Sequence, residues 1–404
     1  MHAMALSERI TIFGRDIIDR AAIEQLERCV GEDDIGVLNA DAHHGYRHPI
    51  GGAVAYRDKI SLSGVGFDIA CGNKAVRTNI RAADVDIARV MDEIVRRISF
   101  GVGRKSKEPV DHPVLERIAH AEFKPQRKLY TLAAEQLGTV GGGHHYVDLY
   151  RDDDGWLWVA VHFGSRGFGH RTTMGFIALS QGRSFDDHVP EGSMDAPPIL
   201  FDARSELGQD YLAAIELAGE YAYAGRDIVV EKVLEILGAR ATYTVHNHHN
   251  FLWREEHFGQ QWWVVRKGCT PAFPGQASFI GSTMGDIAVI VEGMESELAR
   301  RALYTTVHGA GRTMSRTQAA GKRRWRRGRW VQVSPGLVNF EQVKAQLRSR
   351  GIELRGGGAD EAPQCYKPLR EVLARHEGTI RILWTLYPLG VAMAGEQDFD
   401  PYKD

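Results

Sequence analysis

Residues 156–163, WLWVAVHF, alternate with a period of two and place Trp156, Trp158, Ala160 and His162 on one face. That pattern predicts a β-strand, because aromatic and β-branched side chains suit a pleated surface. QWWVV, from residue 261, predicts a second one. Residues 84–98, DVDIARVMDEIVRRI, follow a different period. Ile87, Val90, Met91, Ile94, Val95 and Ile98 fall on one helical face behind Asp84, a residue suited to cap a helix. Helices are also predicted over 205–237 and about 291–304. Helices and strands interleave without a regular βαβ period, so the expected fold class is α+β rather than a doubly wound sheet. No Pro-, Ser- or Gly-rich linker and no internal repeat interrupts residues 1–404, which predicts one large domain.

The 404 residues are 43% hydrophobic and 25% charged, with a net charge of -2. This balance fits a globular protein and carries no global basic excess, so a nucleic-acid surface would have to be local. The N-terminal segment lacks the basic start and unbroken apolar run of a signal peptide, and no stretch reaches the roughly 18 consecutive apolar residues of a membrane span. A cytoplasmic location without a membrane partner is expected. Cys29, Cys71, Cys269 and Cys365 lie far apart and form no C-x-x-C pair, which argues against a disulfide scaffold and a zinc ribbon.

The chain's 44 glycines cluster beside histidine, cysteine or arginine. Such loops allow a backbone to approach a ligand closely. GVGFDIACGNK, residues 64–74, sets Asp68 three positions before Cys71. On residue type alone Cys71 is open as a nucleophile, a metal ligand or a core filler. The histidines narrow the choice: of 17, many sit in short glycine-bearing or paired motifs, at His43 and His44, His144 and His145, His162, His246, His248 and His249, and His308. Asp, Cys and His all bind first-row transition metals, and several loops each giving one or two ligands suit a catalytic site better than a structural clip. Thiolate and imidazole favour zinc, while an added carboxylate leaves manganese or iron open.

GGGHHYVDLY offers consecutive backbone N–H groups and two imidazoles, an arrangement suited to a phosphate beside a metal. HGAGRTMSR follows His308 with Arg312 and Arg316, which can stabilise phosphoryl charge. KRRWRRGRW, residues 322–330, interleaves cations with indoles, so Lys322, Arg323, Arg324, Trp325, Arg326 and Arg327 are candidate nucleic-acid contacts. Arg104 and Lys105 of GRKSK form a smaller basic group.

Taken in order, DAHHGYRHPIGG, GVGFDIACG, QLGTVGGGHHYVDL, VHFGSRG, HHNF, RKG, HGAGRTMSR and DEAPQCYK resemble the signature series of the RtcB family of RNA ligases. The resemblance runs from about residue 36 to 395 and leaves 396–404 as a C-terminal extension. It implies one large domain of mixed sheets surrounded by helices, with a central metal cleft. The implied reaction joins RNA bearing a 3′-phosphate or 2′,3′-cyclic phosphate to RNA bearing a 5′-hydroxyl, using GTP and two manganese ions. A monomer is expected.

Carried over by motif, the implied metal ligands are Asp68, Cys71, His145, His162 and His249, and the implied nucleophile is His308, which would carry GMP. Asp41, Arg166, Lys267 and Arg316 would assist it. His144, Tyr146, Asp148, Asn250, Ser282, Thr283, Gly309, Ala310, Gly311 and Tyr366 would line the nucleotide pocket. The chain departs from the family pattern in places. His144, Tyr146 and Asp148 stand where the family usually has Asn, Phe and Glu, IGSTMG lacks the usual proline, and GVAMAGEQDFDPYKD replaces an ending in GVIKG. These changes to guanine contacts motivate an alternative, a metal-dependent phosphoesterase or cyclic phosphodiesterase on the same dinuclear site. A non-catalytic RNA-binding protein is a third reading, opposed by the complete nucleophile and ligand set.

Overall fold

In the computed structural model, which describes residues 9–326, 329–396 and 398, the segment Trp156–Phe163 is a strand, as its alternation predicts. Both of its faces are buried. Leu157, Val159 and Val161 pack with Val90, Met91 and Ile94 of helix Ile87–Arg97 and with Val229, Val230 and Val233 of helix Glu206–Leu237. Trp158 and Ala160 face a second core with Tyr150, Phe279 and Ile290. Alternation here therefore sorts side chains between two cores rather than between core and water. A four-residue turn joins this strand to Tyr146–Arg151. Buried Asp152 closes the turn, its carboxylate accepting from Trp156 N, Trp158 Nε1 and Arg77 Nε, each at 2.9 Å.

The strand belongs to an eight-stranded sheet. Its order runs Ala277–Ile280, Ala288–Gly293, Ile380–Gly395, Tyr146–Arg151, Trp156–Phe163, Gly72–Arg81 and Ala241–His248, with Glu353–Gly357 beside Ile380–Gly395. All neighbours are antiparallel except that last, parallel pair. The first and last strands of the order meet, and Asn247 Oδ1 accepts from Phe279 N at 3.4 Å, so the sheet curls almost into a barrel. Gly72 pairs with Phe163 on one side and His248 on the other. A Cβ at Gly72 would lie 2.2 Å from the Asn247 carbonyl oxygen, so this junction of three strands requires glycine.

A five-stranded sheet, ordered Ile10–Ile12, Ile35–His43, Ile50–Tyr56, Gln260–Lys267 and Asn250–His257, abuts the first. The two sheets meet at His249, the residue between the strands Ala241–His248 and Asn250–His257. Its N–H donates to Cys71 O at 2.8 Å, and its own carbonyl accepts from Cys269 N at 3.0 Å. The fold is α+β, with helices and sheets mixed along the chain.

The 205–237 helix forms as Glu206–Leu237, with Ser205 Oγ accepting from Gly208 N at 3.0 Å and Gly238 ending it at φ +61°. Helix Ile87–Arg97 is capped by Asp86, whose carboxylate accepts from Arg89 N at 3.1 Å, while the expected cap Asp84 ends a short 3₁₀ turn. The expected helix at 291–304 is corrected more heavily. Ala288–Gly293 is a strand, and only Glu297–Arg301 is helical, behind Ser296. Val289, Ile290 and Val291 are β-branched and fully buried, so pairing within the sheet prevails over the helical spacing further on. Among the described residues no helix is long and apolar enough to cross a membrane.

Leu157 is fully buried in the core between this sheet and the two helices. Leu157→Ala is expected to lower the urea midpoint by the equivalent of about 2–5 kcal/mol. An unchanged midpoint would mean that this face of the sheet is not packed as described.

Candidate metal centre

Strand register sets the site. Cys71 precedes the strand Gly72–Arg81, His145 precedes Tyr146–Arg151, His162 is the penultimate residue of Trp156–Phe163, and His249 follows Ala241–His248. Because Asn73 pairs with His162, Tyr146 with His162, and Gly72 with His248, all four residues come to the same end of adjacent strands. Cys71 Sγ lies 3.3 Å from His162 Nε2 and 3.7 Å from His145 Nε2. Asp68 Oδ2 is 2.9 Å from His145 Nε2. Gly164 permits that carboxylate, since a Cβ there would sit 2.1 Å from Asp68 Oδ1. The ligand atoms of Cys71, His144, His145 and His162 all lie within 4.8 Å of one another. The His249 ring centroid is 4.9 Å from that of His162 and 4.9 Å from that of His308.

The donor set suits a divalent transition metal. Sulfur-to-nitrogen separations of this size match the roughly 3.5 Å edge of a polyhedron with metal–ligand bonds of about 2.0–2.3 Å. His145 Nδ1 lies 3.0 Å from the Val140 carbonyl, so a proton on Nδ1 donates there and leaves the Nε2 lone pair toward Cys71 and Asp68. Arg166 Nη1 lies 3.1 Å from the same Nδ1 and can only donate, an opposite demand; ligation through Nε2 would require the proton on Nδ1 and so the bond to Val140. Burial, then the neighbouring imidazoles, holds His162 and His249 well below the usual histidine range, so both rings stay neutral and able to ligate. His249 Nδ1 is buried with no hydrogen-bond partner. Burial raises the Asp68 carboxyl, but His145 and Arg166 outweigh it and keep it ionised. Burial, followed by Asp68, pushes the Cys71 thiol far up, and a bound cation would supply the charge that displaces its proton.

Beside this cluster, His308 Nδ1 lies 2.7 Å from Asp41 Oδ2. The same oxygen accepts the backbone N–H of His308 at 3.0 Å and of Gly309 at 3.3 Å. Burial raises the Asp41 carboxyl, yet hydrogen bonding and charge from His308 bring it below its ordinary value. Asp41 therefore faces His308 Nδ1 and leaves Nε2 on the side of the ring away from the carboxylate.

The other sequence-derived residues divide into groups. Asn250 ties two loops, its Nδ2 donating to Asp68 O at 3.3 Å and its Oδ1 accepting from Gly268 N at 2.7 Å. Arg316 pairs with Asp360 at 3.2 Å and with Glu361, and its Nη2 is 3.5 Å from His144 Nδ1. Tyr366 donates to Glu361 and accepts from Arg312 Nη1 at 2.8 Å, and Gly309, Ala310 and Gly311 lead from His308 to that arginine. Ser282 Oγ donates to Asp286 at 3.0 Å, and the Thr283 hydroxyl is buried without a partner.

Two residues face inward. The Tyr146 ring packs on His162 at 5.2 Å, while Asp148 is buried and accepts from Tyr150 Oη at 2.8 Å. Burial pushes the Asp148 carboxyl strongly up, toward the neutral acid. Lys267 Nζ donates to the carbonyls of Tyr46 at 2.8 Å and Ser63 at 3.0 Å, and burial pulls its ammonium down to about 7. These contacts hold it on backbone rather than on the Cys/His cluster.

Among the basic residues, Arg104 pairs with Asp398 at 3.0 Å and Lys105 with Glu135 at 2.6 Å. Lys322 and Arg324 are exposed at a hairpin of Arg323–Arg326 with Arg329–Gln332, which includes the backbones of Arg323, Trp325 and Arg326. Arg327 lies outside the described residues.

Two residues carry more of the site than motif reading assigned to them. His144, expected in the nucleotide pocket, joins the metal group. Half-buried His43, whose Nδ1 is 3.2 Å from Asp41 O, is held down to about 4 by burial and by the charge of His308 and Arg312. Its position two residues after Asp41 was the available signal.

Fold and site together define an α+β protein with a buried cysteine–histidine centre and a carboxylate-bound histidine beside it. The family model described as tRNA-splicing ligase RtcB matches residues 22–125 and 116–394, and the chain belongs to the RtcB family. The chain is 29% identical over 376 residues to the RNA-splicing ligase RtcB of Escherichia coli (strain K12), covering 86% of each. It is 29% identical over 463 residues to the tRNA-splicing ligase RtcB of Archaeoglobus fulgidus, covering 93% of this chain and 92% of that one. To the tRNA-splicing ligase RtcB of Pyrobaculum aerophilum it is 28% identical over 441 residues, covering 88% of this chain and 87% of the other.

Cys71→Ser is expected to abolish stoichiometric binding of a thiophilic divalent ion, read by elemental analysis after gel filtration; full retention would return Cys71 to a packing role. Asp41 gives a pH test. Because its folded-state value is depressed, its contribution to stability is present at neutral pH and is lost as acid protonates it. The urea midpoint of wild type should exceed that of Asp41→Asn most above about pH 5, and the gap should close below about pH 4. A gap independent of pH would remove the ionised pair.

Proposed function

We propose that this chain is a GTP- and manganese-dependent RNA ligase that joins 3′-phosphate or 2′,3′-cyclic phosphate ends to 5′-hydroxyl ends through a guanylylated histidine. The observation that carries this reading is the Asp41–His308 pair at 2.7 Å, set 4.9 Å between ring centroids from His249. Membership in the RtcB family and relatives named as RNA- and tRNA-splicing ligases support it.

His308 Nε2 attacks the α-phosphorus of GTP, a nitrogen–phosphorus bond forms, and the bond to the β-phosphate oxygen breaks to release pyrophosphate. Asp41 holds the proton on Nδ1 and stabilises the positive charge that the ring acquires. A 2′,3′-cyclic phosphate is first opened by water, which adds to phosphorus and expels the 2′-oxygen as a hydroxyl; the RNA 3′-phosphate then takes GMP from His308, which turns a poor leaving group into a good one. Attack of the 5′-hydroxyl on the 3′-phosphorus forms the phosphodiester and expels GMP.

Cys71, Asp68, His145, His162 and His249 would hold two manganese ions, which when bound supply Lewis-acid charge to entering and leaving oxygens. His144 lies within the same group and is a further ligand candidate. Arg166 and Arg316 add fixed positive charge, Lys267 holds the loop behind the cleft, and Asn250 holds the Asp68 loop. Tyr146, Asp148, Ser282, Thr283, Gly309, Ala310, Gly311 and Tyr366 form the nucleotide side. Lys322 to Arg327 and the Arg104–Lys105 group carry the RNA backbone. The protein works as one RtcB-type domain over 1–404, as a cytoplasmic monomer.

Incubation with GTP labelled at the α-phosphate and Mn²⁺ should yield an acid-labile protein adduct, absent in His308→Ala and reduced about 10²–10⁴-fold in rate in Asp41→Asn. An undiminished adduct in His308→Ala would overturn the nucleophile. Release of phosphate from RNA without joining and without nucleotide would replace the ligase by a phosphoesterase.

A further inference from the structure

Helix Glu206–Leu237 places a fully buried cation, Arg226, against the eight-stranded sheet. Its Nη1 donates to the carbonyls of Ala70 at 2.9 Å and Phe163 at 2.6 Å. Its Nε donates to His246 Nε2 at 2.9 Å, and its Nη2 lies 3.2 Å from His248 Nδ1. Ala70 precedes Cys71, Phe163 follows His162, and His248 precedes His249. One guanidinium therefore holds the residue next to each of three candidate ligands. His246 is fixed in turn, its Nδ1 facing Asp227 Oδ1 at 3.3 Å and its ring stacked on Tyr223 at 3.8 Å.

Apolar packing does not account for this arginine. Among the described residues no carboxylate lies within ion-pair distance of it, and a buried charge without such a partner costs several kcal/mol. Its guanidinium lies over the Tyr223 ring at 4.9 Å, and an apolar side chain in its place would leave the four acceptors named above without this donor. What it adds is a rigid planar fork whose Nε, Nη1 and Nη2 reach four acceptors on three sides at once, a spread that a lysine's single nitrogen does not cover.

We propose that Arg226 is a positioning residue for the metal centre, its guanidinium fixing the spacing of the Cys71, His162 and His249 segments. The inference rests on the metal-centre part of the function proposed above and is independent of the ligation step. It extends to His246, which anchors the Nε side of the guanidinium.

The test is metal binding by the full chain. Mn²⁺ affinity is measured by titration calorimetry, and Co²⁺ absorption reports thiolate charge transfer and ligand-field geometry. Circular dichroism of the metal-free proteins checks folding. Folded Arg226→Lys should bind Mn²⁺ about 10–100-fold more weakly and shift the Co²⁺ bands. A folded Arg226→Lys with wild-type affinity and spectrum overturns the proposal. Should that variant not fold, His246→Leu decides: shifted Co²⁺ bands sustain the proposal and unchanged bands overturn it. A wild-type chain with no thiolate-to-cobalt band overturns the metal reading together with the inference, whereas loss of ligation with normal Co²⁺ spectra touches only the ligase reading.

Discussion

The pairing of Gly72 with Phe163 on one side and His248 on the other is the constraint on which the site depends. A one-residue slip of either neighbour would turn His162 to the opposite face or move His249 along the strand. The contact with the Asn247 carbonyl leaves no room for a side chain at position 72, so the three strands are locked at the end where the candidate ligands emerge. Register, rather than any single loop, turns motifs distant in sequence into one cluster.

The same end of the sheet is crowded with polar groups removed from water, and the structure resolves the cost unevenly. The Asp152 carboxylate and Asp41 Oδ2 are each met by three donors and Asn250 Oδ1 by one, fastening turns and loops, while Asp41 Oδ1 is buried without a partner. His162 and His249 avoid the cost by remaining neutral. Asp148 follows a third course, with burial favouring its neutral acid beside Tyr150. A carboxyl in that state is a poor match for a base presenting two N–H donors, and this distinguishes the Asp148 position from the ionised Asp68 and Asp41 nearby.

Much of this was legible in the sequence because the chemistry and the spacing coincide. Asp68 with Cys71, the histidine pairs and HGAGR all reveal themselves by composition, and the strand at 156–163 by its period. Where burial on both faces erases the period, the reading weakens. Val291 to Gly293, the end of a sheet strand, fall at the start of the helix expected at about 291–304. Helix ends are decided by side-chain caps, so Asp86 rather than Asp84 starts the helix at Ile87. The role of Arg226 was hidden for a different reason. In YAYAGRDIVV it reads as a surface charge on an apolar helix, and only the tertiary fold brings Ala70, Phe163 and His248 to it.

The spread of the ligands along the chain has a consequence for how the protein is made. Asp68, Cys71, His145, His162 and His249 come from four separate strand ends, and His308 from a fifth segment. The hairpin of Tyr146–Arg151 and Trp156–Phe163 gathers His144, His145 and His162 locally, and Cys71 joins them from the strand paired alongside, so these four residues have been synthesised by position 163. A polypeptide truncated after Phe163 would carry a partial cysteine–histidine group that lacks His249 and the carboxylate-bound His308, which arrive only with later segments.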